Sequence, residues 1–301
     1  KLPAPVFPEY EFLSADEEHR CLVRTHLDSN WLQAVEGDLD TSHVSFMHKV
    51  FAYENDNQGR RKNKAGVALM HDGAPVLTVK ETDYGFIYGG RRETPDGKYY
   101  WRLTPYLFPV YTIIPGPRWP LNCRIYVPSD DEHTYGINAM YNPEAPLTRE
   151  QIDRMDSGVA NVPRLIAGTF EPIASRENDY FIDREFQRTR NYTGIETIPL
   201  QDAAMTVTMG RIMDRTKEHL GTADATIIRV RRRLMQAAVA LRDRGESPPC
   251  VERPELYKVR SCSVTLPDGL DWQTALSDWH NARIYELPKD RIDPTRNFAE
   301  R

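Results

Sequence analysis

From residue 66 to residue 141 apolar and polar side chains alternate along the chain, the period of strands that bury one face. GVALMH and PVLTVKETDYGFIYGGR predict antiparallel strands over 66–92, and YYWRLTPYLFPVYTII and NCRIYVPSDDEHTYGINAMYNP predict a second set. Tyr, Val and Ile dominate these runs, and PDG, PGP and SDD punctuate them as turns. One antiparallel sheet of six or seven strands is the economical arrangement. A further strand is expected around Arg20–Thr25, after an extended Pro-rich lead-in over 1–18. The period changes to that of a helix in three places. Ser29 or Asn30 caps a helix running to about Glu36, with a bend or break before His48. Residues 147–162 predict a short helix. Residues 222–244 predict a long one, with Ile227, Val230, Leu234, Ala237, Ala238 and Leu241 as its apolar stripe and Gly245 as its stop. The segment 54–65 reads as a loop, 168–199 as a long irregular cover, and 200–209 returns to an apolar pattern. Strands and helices are segregated, so the expected class is α+β, a sheet flanked by helices without βαβ alternation.

The 301 residues suffice for one large domain or two smaller ones. Their 22 prolines and 17 glycines imply many turns without reaching a disordered composition. No apolar run approaches the roughly 18 residues that a spanning helix needs, and KLPAPVFPEYEF shows no secretory pattern. A net charge of -5 argues against a general nucleic-acid surface. Cys21, Cys123, Cys250 and Cys262 are scattered and form no CxxC pair. A reducing, cytoplasmic setting is therefore expected, without a disulfide framework.

Chemistry concentrates in NWLQAVEGDLDTSHVSFMH, residues 30–48, where Asp38, Asp40, His43 and His48 fall among Trp31, Leu32, Val35, Leu39, Val44, Phe46 and Met47. Two imidazoles and a carboxylate in apolar company suit an Fe(II) facial triad with open coordination positions, without selecting iron over zinc. His43 and His48 are the candidate imidazole ligands. Five residues apart, they lie roughly 140° apart on an ideal helix. They can share an ion only if the helix bends, ends or receives it at its edge. Asp38, Asp40 and the distant Asp202 are candidates for the third ligand, Asp202 reading otherwise as a helix cap. Asp214, Asp224 and Glu218 have ordinary explanations as turn, cap and exposed helix residues. Val44, Phe46 and Met47 either line a pocket or belong to the core.

The spacing D-x2-H-x4-H, here Asp40, His43 and His48, resembles the mononuclear-iron motif of Rieske non-haem iron aromatic-ring oxygenases, and the wider stretch resembles their phthalate-dioxygenase branch. The resemblance continues through YFIDREFQR at 180–188, QD at 201–202, MGRIMDRTKEHLG at 209–221 and the arginine-rich helix, across most of 20–260. It implies a ring-hydroxylating oxygenase catalytic-domain, helix-grip-like fold, with lead-in and first strand over 1–26, the iron domain over 27–265 and a C-terminal extension over 266–301. It implies that His43, His48 and Asp202 bind Fe(II). Asp40 becomes the carboxylate that links an incoming electron-transfer centre to the iron, where the residue-level reading gives a salt bridge or a helix-stabilising charge. Two departures stand out. No C-x-H and C-x2-H pair for a Rieske [2Fe-2S] cluster is present, Cys21 being followed two positions later by Val23, so that cluster is expected on a missing or separate domain. Val207 lies near a position often held by Glu.

The implied reaction inserts oxygen into an aromatic substrate by hydroxylation, cis-dihydroxylation or oxidative O-demethylation. An aromatic acid is the favoured substrate, with molecular oxygen as co-substrate and electrons reaching the site from NAD(P)H through a reductase. A homotrimer or a hexamer of stacked trimers is implied, with no nucleic-acid or membrane partner. Arg91, Arg92, Arg102 and Arg60–Arg61 are possible carboxylate partners, and no single one is singled out. The alternatives are a zinc-dependent hydrolase and a noncatalytic ligand-binding subunit.

Overall fold

The computed structural model describes residues 4–49, 64–116, 119–158, 162–284, 287 and 291–294. Among the described residues eight strands form one antiparallel sheet: β1 Arg20–Leu27, β2 Val76–Thr82, β3 Gly85–Glu93, β4 Tyr99–Leu107, β5 Tyr111–Ile114, β6 Leu121–Pro128, β7 Thr134–Tyr141 and β8 Cys262–Leu266. Their order is β1-β7-β6-β5-β4-β3-β2, and β8 pairs with the first half of β4 while β5 pairs with its end. Ten α-helices among the described residues surround the sheet: α1 Glu11–Ser14, α2 Trp31–Leu39, α3 His43–Phe46, α4 Lys64–His71, α5 Arg149–Asp156, α6 Arg184–Thr189, α7 Ile198–Thr208, α8 Ala225–Arg244, α9 Trp272–Ala275 and α10 Ser277–His280. The class is α+β, as the pattern predicts. Among the described residues no helix is long and apolar enough to cross a membrane.

Period-two alternation sorts the side chains into two layers. Phe86, Tyr88, Tyr106 and Tyr126 pack with Val35 and Leu39 of α2 and Val230 of α8. Ile87, Trp101, Leu103 and Val264 face the other way, onto Trp272, Leu276 and Trp279. Thr112 and Arg124, opposite one another across β5 and β6, share the α2 face. A polar pair is thereby placed beneath the helix that leads into the two histidines.

Three expectations need correction. The segment 66–71 is helix α4 instead of a strand: Ala68, Leu69 and Met70 favour helix, and Ala68 is fully buried against Tyr100. Among the described residues the sheet has an eighth strand, β8, whose five residues Cys262, Ser263, Val264, Thr265 and Leu266 are too few to signal a strand by their alternation alone. The stripe on α8 is covered only as far as Leu234; Ala238 and Leu241 are exposed. Gly245 ends α8 as expected, in the left-handed conformation at φ 69°, its N–H returning to the carbonyls of Ala240 and Leu241. The predicted loop 54–65 lies outside the described residues except at its end, where α4 begins.

Candidate metal centre

Asn30 is the cap of α2, its side-chain oxygen accepting from Leu32 N at 3.1 Å, and the helix ends at Leu39 because Asp40 turns extended. The Asp40 carboxylate then accepts the N–H groups of Ser42 at 2.7 Å and His43 at 3.2 Å, which starts the single turn of α3. That turn stops at Phe46. The ending of the helix resolves the 140° difficulty: His48 leaves the helical path and its Nε2 lies 3.2 Å from His43 Nε2. Gly90 of β3 makes room for the turn, since a Cβ there would sit 2.9 Å from Thr41 Cγ2.

Asp202 comes from the middle of α7, so it is not the cap of that helix; Thr197 occupies the cap position. Its Oδ1 is 3.2 Å from His48 Nε2 and 3.8 Å from His43 Nε2. Three donors bound to one first-row ion at about 2.1 Å, at right angles to one another, stand about 3 Å apart. Two edges of this triangle meet that value and the third is slightly long, so the donor set fits a facial triad. Among the described residues it is the one group of three such side chains with ligand atoms this close.

Neighbouring groups fix which atoms face the ion position. His48 Nδ1 lies 2.7 Å from Gln201 Oε1, which makes Nδ1 the protonated nitrogen and leaves the lone pair on Nε2. Gln201 is itself held by donation to the Ile195 carbonyl at 2.9 Å. Arg124 Nη1 contacts Asp202 Oδ2 at 3.3 Å and Asp38 Oδ1 at 2.7 Å. Asp38 Oδ2 accepts from Thr112 at 2.6 Å. Burial would push the Asp202 carboxyl up, but His48 and Arg124 together hold it below the ordinary range. Burial likewise opposes the ionisation of Asp40, which the His43 side chain and the N–H groups of Ser42 and His43 hold low. Its Oδ2 is 3.6 Å from His43 Nδ1, an ion-pair distance beyond hydrogen-bonding range. For Asp38 burial raises the carboxyl, and the Arg124 guanidinium and the Thr112 hydroxyl oppose it in favour of the charged form.

The triad opens on a cavity of about 570 Å³, the size of sites for small organic ligands. Leu27, Met47, Tyr126, Met205, Met209 and Met213 contribute to its wall. Phe46 is 59% exposed and Val44 is not on the wall, so of the three apolar neighbours only Met47 lines it. Glu218 is no exposed helix residue: Arg231 and Arg215 pair it with Glu36 at the cavity rim. Asp214 and Asp224 serve as turn and cap groups, accepting from Thr216 and Gly221. None of Arg91, Arg92 and Arg102 reaches the cavity; Arg92 is buried on Thr41 and Arg91 stacks on Tyr99. Arg60 and Arg61 lie outside the described residues. The arginines on the wall are Arg124 and Arg231. Sequence reasoning missed Arg124 and gave Gln201 no role. The available signals were the alternation Asn122, Arg124, Tyr126 on one strand face and the adjacency of Gln201 to Asp202.

The family model described as "LigXa C-terminal domain like" matches residues 3–291. The chain is 32% identical over 293 residues to the 3-chlorobenzoate-3,4-dioxygenase oxygenase subunit of Comamonas testosteroni, covering 90% of this chain and 65% of that protein. To the phthalate 4,5-dioxygenase oxygenase subunit of Pseudomonas putida it is 28% identical over 257 residues, 84% of this chain and 58% of the relative. The chain thus spans less than two thirds of the length of either. Among solved structures, dicamba monooxygenase bound to 3,6-dichlorosalicylic acid superposes with a TM-score of 0.43 at 12% identity, over 73% of this chain and 59% of the other.

Proposed function

The chain belongs to the LigXa C-terminal-domain-like family, within the Rieske-type non-haem iron aromatic-ring oxygenases, and from that premise we propose that it holds one Fe(II) on His43, His48 and Asp202 and inserts oxygen into an aromatic acid. The observation that carries the reading is the convergence of two imidazole Nε2 atoms and one carboxylate oxygen, from segments more than 150 residues apart, at the wall of an apolar cavity. Bound Fe(II) would supply the activation of oxygen, which no side chain can perform. The protein's own contribution is positional. Gln201 keeps the proton of His48 on Nδ1, and Arg124 keeps Asp202 Oδ2 turned away from the imidazoles. Met47, Met205, Met209 and Met213 offer an adaptable apolar wall for a ring and reduce the access of water.

In this reading Asp40 is the electron-entry residue. It lies on the cavity wall, its side chain is 27% exposed, and its carboxylate faces His43 Nδ1. Electrons come from a Rieske [2Fe-2S] cluster on another segment or chain, fed by an NAD(P)H-linked reductase. A trimer or stacked-trimer hexamer in the cytoplasm brings that cluster to the site from a neighbouring copy. The segments 1–26, 27–265 and 266–301 correspond to lead-in, iron domain and C-terminal extension.

Anaerobic reconstitution tests the proposal. One Fe(II) per chain is expected, lost in His43→Ala and in Asp202→Ala, while Asp40→Asn retains iron and loses turnover with a supplied electron donor. No uptake of Fe(II) by the wild-type chain, or full iron content in either ligand variant, would overturn it.

A further inference from the structure

The geometry points to Arg124 as a positioning residue for the metal carboxylate, with Asp38 as the buried counter-charge that lets it serve there; this deepens the iron reading above and rests on it. Arg124 projects from β6 onto the face covered by α2, opposite Thr112 on β5. Its side chain is 13% exposed and that of Asp38 is 3% exposed. One nitrogen, Nη1, spans both carboxylates, at 2.7 Å from Asp38 Oδ1 and 3.3 Å from Asp202 Oδ2. Thr112 donates to the remaining oxygen of Asp38 at 2.6 Å, so both acceptor atoms of that carboxylate are engaged.

Two consequences follow. First, the guanidinium occupies Oδ2 of Asp202 and leaves Oδ1 as the oxygen facing His43 and His48. A carboxylate held in this way offers one oxygen to an ion and keeps more of the ion's coordination positions open. Second, a cation beside a divalent ion weakens its binding unless something compensates. Asp38 has no contact with the triad's ligand atoms, yet it sits at hydrogen-bonding distance from the guanidinium and cancels its charge where water cannot. The Asp38–Arg124 pair is therefore a neutral clamp, supplying orientation to Asp202 without repelling the metal. A pair kept only to hold α2 on the sheet would need no third contact to Asp202.

The experiment is a double-variant cycle read by metal binding. Co(II), whose absorption reports ligand geometry, is titrated anaerobically into the folded full chain and into Asp38→Asn, Arg124→Lys, Arg124→Gln and Asp38→Asn/Arg124→Gln. Asp38→Asn exposes the guanidinium charge to the ion and should weaken Co(II) binding by about 10- to 100-fold. The double variant, neutral again, should regain part of that loss. Arg124→Lys keeps the charge balance, but its shorter side chain ends in an ammonium that cannot take the place of Nη1 between the two carboxylates, so its Co(II) bands should shift. It also stands in where Arg124→Gln fails to fold. Additive losses in the double variant, or wild-type affinity and spectrum in both Asp38→Asn and Arg124→Lys, overturn the assignment while leaving the triad intact. A wild-type chain that takes up neither Co(II) nor Fe(II) overturns the iron reading itself, and this inference with it.

Discussion

His280 donates its Nδ1–H to the carbonyl of Arg260 at 2.7 Å, and its Nε2 is buried with no partner among the described residues. Burial, reinforced by Lys80, lowers its pKa from 6.5 to about 4 against the opposing hydrogen bond to Arg260. The folded form therefore binds the proton later than the unfolded chain as the pH falls. Its contribution to stability is complete above about pH 6.5, declines as the pH drops toward 4, and levels off below that, a loss on the order of 3 kcal/mol. His280→Asn keeps a donor for Arg260 and removes the titration. Denaturation at pH 7, 5.5 and 4.5 should show wild type losing more stability than this variant on that acid limb; equal losses would remove His280 as the cause. At the metal centre, Gln201→Leu should lower metal affinity by about 10- to 100-fold, because His48 Nδ1 loses its acceptor. Equilibrium metal titration checks this. His43 and His48 were legible in the sequence because close spacing in apolar company is local information. Gln201 and Arg124 were not, because their roles depend on contacts 153 and 78 residues away along the chain.

Among the elements, α2 carries the heaviest duty, since its C-terminal end starts the turn bearing both histidines. It is tied down by ion pairs. Arg231 of α8 reaches Glu36 at 2.6 Å and Glu218 at 2.6 Å, and Arg215 joins both carboxylates at 3.0 Å. The Glu36 and Glu218 side chains are 10% and 11% exposed, so they have little water to replace a lost partner. Arg231→Met should destabilise the fold by about 1–3 kcal/mol, less than a fully buried pair because Arg215 remains. Urea unfolding should register this as a lower midpoint at unchanged slope; a midpoint within error of wild type would show the network to be dispensable. The helical period and the stop at Gly245 revealed α8, but not which arginine faces inward. Charged positions carry no periodic signature of the partner they meet. The misreading at 66–71 has a similar origin, because the short apolar run from Val67 to Met70 fits either a strand or part of a short helix such as α4.

At the scale of the whole molecule, α1 and the segment around Arg260 meet on the sheet face opposite the metal centre. Glu11 of α1 pairs with Arg260 at 2.7 Å, and Tyr141 donates to the same carboxylate at 2.8 Å. Arg260 also donates to the Ile284 carbonyl and packs against the touching rings of Trp119 and Trp279. Trp272, Leu276 and Trp279 complete the cluster on Ile87, Trp101, Leu103 and Val264. Removing everything after Leu266 would strip those three side chains from the sheet and leave Trp101 and Val264 open to water. At about 2–3 kcal/mol for each large apolar side chain, the loss is on the order of 6–9 kcal/mol. A domain of ordinary stability has about 5–15 kcal/mol in all. A chain ending at 266 should therefore be recovered mainly as aggregate, and any soluble fraction should melt well below the full chain. Trp272→Ala supplies the graded test: it also leaves Thr78 Oγ1 without the indole N–H now 2.8 Å away, and should cost about 3–5 kcal/mol. Calorimetry on both proteins decides the matter, because a truncated chain melting with the wild-type transition would mean that the second sheet face is stable uncovered.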